Sequence, residues 1–118
     1  MRLTEITYGS ALAIESYGPG FFRIGTHVLR GACLVTPWNA GVWGGFDDTA
    51  APLSLIGKID VLLLGTGAEI APVPRNFRQS LESAGIGVEP MNSPAACRTY
   101  NVLLGEGRRV AACLLPVP

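Results

Sequence analysis

Gly65-Thr66-Gly67 ends an apolar run, Asp60 to Leu64, and Pro74 lies shortly downstream. Two glycines let backbone N–H groups approach a ligand closely. In open α/β sheets, ligands sit beyond the carboxyl ends of the strands. Pro74 suits the first position of a helix, and Val73, not a capping residue, precedes it. Arg75 and Arg78 then fall in the first helical turns, where cations oppose the macrodipole. The same charges suit an anion resting on uncapped N–H groups. The chemistry would be binding of a phosphate or carboxylate by Gly65, Thr66, Gly67, Arg75 and Arg78. The plainer reading is a tight turn followed by two solvated arginines. The pattern is neither a dinucleotide fingerprint nor a Walker loop.

A second candidate begins at Ser93-Pro94, which reads as an N-cap followed by proline at the first helical position. Ser93 and Arg98 extend the candidate ligand-binding set. Cys97 falls in the first turns, where a helix N-terminus and Arg98 lower a thiol pKa. A nucleophilic cysteine needs a base, and His27 is the chain's single histidine. Nothing in the sequence places His27 beside Cys97, which fits equally between Ala96 and Tyr100 as a core residue. Thr99 and Asn101 face either a cleft or water. The carboxylates form no motif: Asp47-Asp48 suits a loop cap, and Glu69 in the glycine loop would need burial to act as a base. Trp38 and Trp43 are candidate partner contacts. One of them is expected to anchor its loop on the core; the other is left open.

The elements that position these residues fall into two halves. Phe22-Arg23-Ile24 alternates, and Val28 to Val35 is rich in apolar and β-branched residues, so the first third reads as strands. Glycines at 18, 20 and 25 punctuate it, Pro37 ends it, and Trp38 to Pro52 reads as a structured loop. Leu53 to Gly57 suits a helical turn. In the second half, Asp60 to Leu64 is a strand buried on both faces. Phe77, Leu81 and Ala84 share one face of a helix from Pro74, closed by Gly85. Gly87 to Met91 is a short strand, and a right-handed crossover joins it to the first. Ala96, Tyr100, Leu103 and Leu104 stripe a second helix, and Arg109 to Leu115 is a final buried strand. The fold class is α/β: one layered domain over residues 1–118, with a mixed, partly parallel sheet and helices packed on it.

At 118 residues the chain suits one domain that needs no metal or disulfide. Nine basic and nine acidic side chains cancel, and no basic stripe is visible, which argues against nucleic acid. Cys33, Cys97 and Cys113 form no CxxC pair, so neither a zinc site nor a disulfide framework is expected. Free thiols in apolar stretches suit a reducing compartment. Met1-Arg2 leads into polar residues rather than a signal peptide. No apolar stretch approaches the ~20 residues that span a bilayer. No metal and no cofactor are expected. A surface with few charges suggests an apolar face covered by a partner.

Several blocks together resemble a known family. They are Gly20-Phe21-Phe22-Arg23-Ile24-Gly25; Asp60-Val61-Leu62-Leu63-Leu64-Gly65-Thr66-Gly67; Gly85-Ile86-Gly87-Val88-Glu89; Ala95-Ala96-Cys97-Arg98-Thr99-Tyr100-Asn101-Val102-Leu103; and Glu106-Gly107-Arg108-Arg109-Val110-Ala111-Ala112. The chain resembles the small bacterial and archaeal domains of unknown function related to a mitochondrial complex I assembly factor. The resemblance implies a layered α/β fold with a mixed sheet. In the mitochondrial relatives it implies a role in assembling respiratory complex I through protein partners at the inner membrane. It implies no catalytic residues. Without an N-terminal targeting extension, a cytoplasmic bacterial protein is expected, peripheral to the membrane at most. The functional expectation is a non-enzymatic binding or assembly module acting through a protein partner. The alternative is a small-molecule protein or enzyme that takes an anionic ligand at the Gly65-Thr66-Gly67 loop.

Overall fold

A computed structural model describes residues 4–5 and 11–118. The opening Met1-Arg2 lies outside the described residues.

The parallel half of the fold is built as expected. Three strands, β7 (Val61–Gly65), β8 (Gly87–Met91) and β9 (Val110–Leu114), run parallel in the order β9-β7-β8. Helix α2 (Arg75–Ser83) links β7 to β8, and α3 (Ser93–Gly105) links β8 to β9. On β7, Leu62 and Leu64 pack with Phe77 and Leu81 of α2. Leu63 packs on the other face, with Ala96, Cys97 and Tyr100 of α3. The two crossovers therefore use opposite faces of the sheet and opposite directions across it. Reversing both preserves the hand, so one handedness serves both units.

The antiparallel half completes the sheet. β1 (Thr4–Glu5), β6 (Asn39–Val42) and β5 (Cys33–Val35) extend it to six strands, in the order β1-β6-β5-β9-β7-β8. A separate three-stranded sheet is formed by β2 (Ile14–Gly18), β3 (Phe21–Ile24) and β4 (His27–Arg30). Its Phe22 and Ile24 share the core on the α3 face. The protein is thus a layered α/β fold. On one face of the large sheet lie α2 and the short helix α1 (Ala50–Leu53); on the other lie α3 and the small sheet.

Four expectations change in detail. The run Val28 to Val35 is two strands in two different sheets, because positive-φ Gly31 (φ 81°) breaks it. The expected loop Trp38 to Pro52 contains strand β6 and helix α1, the latter beginning before the expected turn at Leu53. The cap of α3 is Asn92, whose side chain accepts from the Ala95 N–H at 2.7 Å; Ser93 is already the first helical residue. Pro74 likewise caps α2 rather than opening it, so Arg75 is its first residue.

Candidate functional site

β7 and β8 are neighbours whose following segments leave toward opposite faces. Such a switch point opens a crevice in doubly wound folds, and ligands use it. Gly65 at the end of β7, Thr66 and Gly67 just after it, and Ser93 at the start of α3 converge there.

The chain's own groups tie this crevice together. Ser93 is fully buried. Its Oγ accepts from the Gly67 N–H at 2.9 Å and donates to the Leu115 carbonyl at 2.6 Å. Its N–H donates to the Gly67 carbonyl at 2.7 Å, and the Leu115 N–H donates to the Gly65 carbonyl at 2.9 Å. The Thr66 N–H donates to the Met91 carbonyl at 2.9 Å. Thr66 Oγ1 donates to the Glu69 carbonyl at 2.8 Å and accepts from the Ala71 N–H at 3.0 Å. Buried polar groups are thereby paired, as they must be away from water. Close approach explains the first glycine: a Cβ on Gly65 would lie 2.7 Å from Ser93 Oγ and 2.9 Å from Ser93 Cα. Backbone conformation explains the second, since Gly67 has φ +104°.

The cationic residues stand outside this knot. Arg75 is exposed at the start of α2, whose cap Pro74 offers no side-chain acceptor. Arg78 pairs with Glu82 at 3.1 Å and donates to the Val88 carbonyl at 3.3 Å. Both arginines line a depression of about 560 Å³ with Val73, Gln79 and Glu82. Arg98 is exposed on α3.

The remaining candidates separate cleanly. Cys97 is only 4% exposed and packs in the core. Burial pushes its thiol up to about 11, against the opposing pull of Arg98. His27 is exposed on β4. Asn101, expected at a cleft or in water, instead hydrogen-bonds the backbone of β2. Asp48 caps the first turn of α1: its Oδ1 accepts from the Ala51 N–H at 3.1 Å. Among the described residues, no cluster of His, Cys, Asp and Glu is arranged to hold a metal.

Trp43 is the anchoring tryptophan. It is 2% exposed, packs against Phe46 and Phe77, and donates from Nε1 to the Asp48 carbonyl at 2.9 Å. Trp38 is 42% exposed. It stands in the β5–β6 turn, where Thr36 Oγ1 accepts from the N–H groups of Trp38 and Asn39 at 3.1 and 2.9 Å. Register places the two indoles apart. Cys33 is level with Leu114 and Gly65, and β5 runs antiparallel to β9. The turn after Val35 therefore points toward the amino ends of the parallel strands. Trp38 lies at the opposite end of the sheet from the glycine loop, and the two do not form one patch.

A layered domain with a parallel βαβαβ half, an antiparallel extension and a small second sheet defines the class of protein. The chain belongs to the family described as "Protein of unknown function (DUF498/DUF598)", whose model matches residues 14–115. It is 51% identical over 118 residues to an uncharacterized protein of Rhodobacter capsulatus, covering all of this chain and 95% of that one. It is 38% identical over 114 residues to the NADH dehydrogenase [ubiquinone] 1 alpha subcomplex assembly factor 3 of Danio rerio, covering 89% of this chain and 64% of that protein. The Homo sapiens counterpart is 31% identical over 125 residues, with 68% of its length spanned. Among solved structures, an outer membrane protein from Bartonella henselae superposes with TM-score 0.83 at 34% identity, over 95% of this chain and 100% of that one. A Bordetella pertussis protein described as an Mth938-like domain superposes with TM-score 0.75 at 27% identity, over 98% and 92%. The relation to complex I assembly factors expected from the sequence is thus found, as is the mixed-sheet α/β fold. Among the described residues, no helix is long and apolar enough to cross a membrane.

Proposed function

We propose that this chain is a protein-binding module that assists assembly of the respiratory NADH dehydrogenase, working in the cytoplasm without catalysing a reaction. The observation that carries this reading is its likeness to the animal assembly factors over most of its length. The geometry supports it. The crevice where a doubly wound fold would hold a small ligand is laced by Ser93 and the glycine loop, while Ile70, on the same loop, is 67% exposed. An ordered loop presenting an exposed aliphatic side chain five residues before the exposed Arg75 suits a partner surface. Trp38, held by its Thr36-stapled turn, provides a second anchor at the far end.

The test is capture from native cells with tagged wild type beside Ile70→Ser/Arg75→Ala. The expected result is recovery of NADH dehydrogenase subunits with wild type and at least a tenfold loss with the variant. Failure of the folded wild type to recover any subunit of that enzyme overturns the assembly role.

A second reading follows from one feature, the uncapped start of α2 with Arg75 exposed upon it. There a phosphate or carboxylate would meet free N–H groups and a guanidinium. Titration with inorganic phosphate, followed on the amide resonances of Arg75 to Arg78, tests it. Unmoved resonances remove it.

A further inference from the structure

The small sheet has two edges, β2 and β4, and the fold treats them differently. On β2, Asn101 of α3 takes both the N–H and the carbonyl of Ile14. The state of the β4 edge follows from its pairing with β3. The Gly31 N–H donates to the Gly20 carbonyl at 2.8 Å, and Arg30 lies opposite Phe21. Antiparallel pairs alternate between bonded and non-bonded. Leu29 and His27 therefore bond to β3, whereas Val28 and Arg30 turn their N–H and carbonyl groups away from it. Among the described residues, no strand pairs with that outer edge of β4.

The side chains give the edge a charge. Residues opposite each other share a face, so Val28 and Arg30 stand with Arg23 and Phe21 on the outer face of the sheet. Phe22 and Ile24, in the core, mark the inner face. Arg23 and Arg30 are exposed, and among the described residues neither has an ion-pair partner. Glu15, the acidic residue of this sheet, lies on the far strand β2. On the inner side, β4 packs beside β6 of the large sheet. There Val42 lies opposite the core residue Cys33, so it points to the face that the small sheet covers, yet it is 56% exposed.

We infer that the β4 edge takes an extended acidic segment of a partner protein, which adds to the small sheet by pairing with Val28 and Arg30. Backbone and charge argue for it together. Residues bonded to Val28 and Arg30 would point their side chains to the outer face, where two unpaired guanidinium groups suit carboxylates. The residues between them would point inward, toward Val42, and suit aliphatic side chains. The occupant therefore alternates acidic and apolar residues. A second copy of β4 would instead set Arg23 and Arg30 against their own counterparts, and like charges disfavour that pairing. The edge strand of the large sheet, β8, is a poorer template. Its Pro90 has no N–H to offer, and its Val88 carbonyl already accepts from Arg78 at 3.3 Å. This inference rests on the protein-binding reading and supplies the chemistry of the partner segment.

The test follows amide resonances and hydrogen exchange of the full-length protein during titration with acetyl-Glu-Val-Glu-Val-Glu-amide. Saturable shifts along β4 and at Val42 are expected, with exchange of the Val28 and Arg30 amides slowed at least about fivefold at saturation. Binding is expected to weaken at least about fivefold for the Lys-for-Glu peptide and in Arg30→Glu. That side chain is exposed, so the variant keeps the fold, which its resonance dispersion verifies. A peptide N-methylated at its glutamates keeps the charge but loses the strand donors, and it should bind no better than the Lys peptide. Equal affinity for the N-methylated peptide overturns the inference, since charge alone would then explain binding. Absence of shifts at ~5 mM peptide overturns it. So does protection of the Val28 and Arg30 amides in the free protein, whether from the chain itself or from a second copy as sedimentation would report. Native-cell capture of dehydrogenase subunits is read separately, so the assembly role and the β4 site fail independently.

Discussion

Asn101 clasps both backbone groups of Ile14, a residue 87 positions earlier: Oδ1 accepts from its N–H at 2.9 Å, and Nδ2 donates to its carbonyl at 2.8 Å. The clasp sits where the β2–β3 register slips between Ile14 and Ser16. β2 is an edge strand of the small sheet, and one side-chain amide supplies partners for both outward-facing groups of Ile14. Nearby, the Tyr100 hydroxyl donates to the Leu12 carbonyl at 2.8 Å. Helix α3 is thus bolted to the small sheet by two successive polar side chains. Asn101→Ala is expected to cost about 2 kcal/mol, the desolvation of two orphaned groups. Asn101→Asp keeps the acceptor but faces the Ile14 carbonyl with a carboxylate. It should be less stable than wild type at pH 7, and the gap should narrow below pH ~4 as a protonated acid regains a donor. Urea denaturation at both pH values measures this; equal stability of all three proteins would refute the clasp.

Ser93 and Gly65 are a second coupled pair. Ser93→Ala removes the acceptor of the Gly67 N–H and the donor to the Leu115 carbonyl, so a loss of about 2 kcal/mol is expected. Gly65→Ala sets a methyl group 2.9 Å from Ser93 Cα, which is backbone and cannot swing aside. A cost of about 2 kcal/mol or more is expected. Removing Oγ does not relieve that contact, so Gly65→Ala/Ser93→Ala should remain less stable than Ser93→Ala alone. Rescue of Gly65→Ala by the second substitution would show that only the hydroxyl is in the way.

The parallel half was legible in the sequence because its signals are local and mutually consistent. Leu62-Leu63-Leu64 can only be a strand covered on both faces, and Phe77 and Leu81 state which side of α2 is inward. The antiparallel half was less legible. Val28 to Val35 is apolar apart from Arg30 and Gly31, and composition does not reveal that Gly31 sends its two ends to different sheets. At the switch point, the residue types were legible but not their engagement. Whether Ser93 faces a ligand or Leu115 depends on where the last strand ends.

The tryptophans should report two environments. Trp43→Ala is expected to cost about 3–5 kcal/mol, by deleting a buried ring packed on Phe46 and Phe77. Trp38→Ala should cost under about 1 kcal/mol, being on the surface. In Trp38→Phe the remaining fluorescence should be blue-shifted and shielded from iodide; in Trp43→Phe it should be red-shifted and readily quenched. Comparable quenching in both variants would contradict the assigned burial.

The thiols should be slow to react and should tie stability to alkaline pH. Cys97, Cys33 and Cys113 are all buried. For Cys97, burial raises the folded-state pKa from 9.0 to about 11. Burial also raises the values of Cys33, Cys113 and Tyr100. A raised folded pKa means that the unfolded chain loses its proton first. The stability from the neutral thiol is complete below pH 9 and is lost as pH climbs from 9 toward 11. For Cys97 the slope approaches ~1.4 kcal/mol per pH unit. Chemical denaturation in the absence of oxidant should therefore show constant stability between pH 7 and about 8.5, then a decline of at least ~1 kcal/mol by pH 10. Cys97→Ala should shallow that decline, although the cavity lowers its stability at every pH. Labelling of the native protein by a thiol reagent at pH 8 should proceed no faster than opening of the fold permits. Rapid labelling of Cys97, at the rate of a free thiol, would mean that its sulfur reaches solvent and that the core packing against Leu63 and Val110 is not as described.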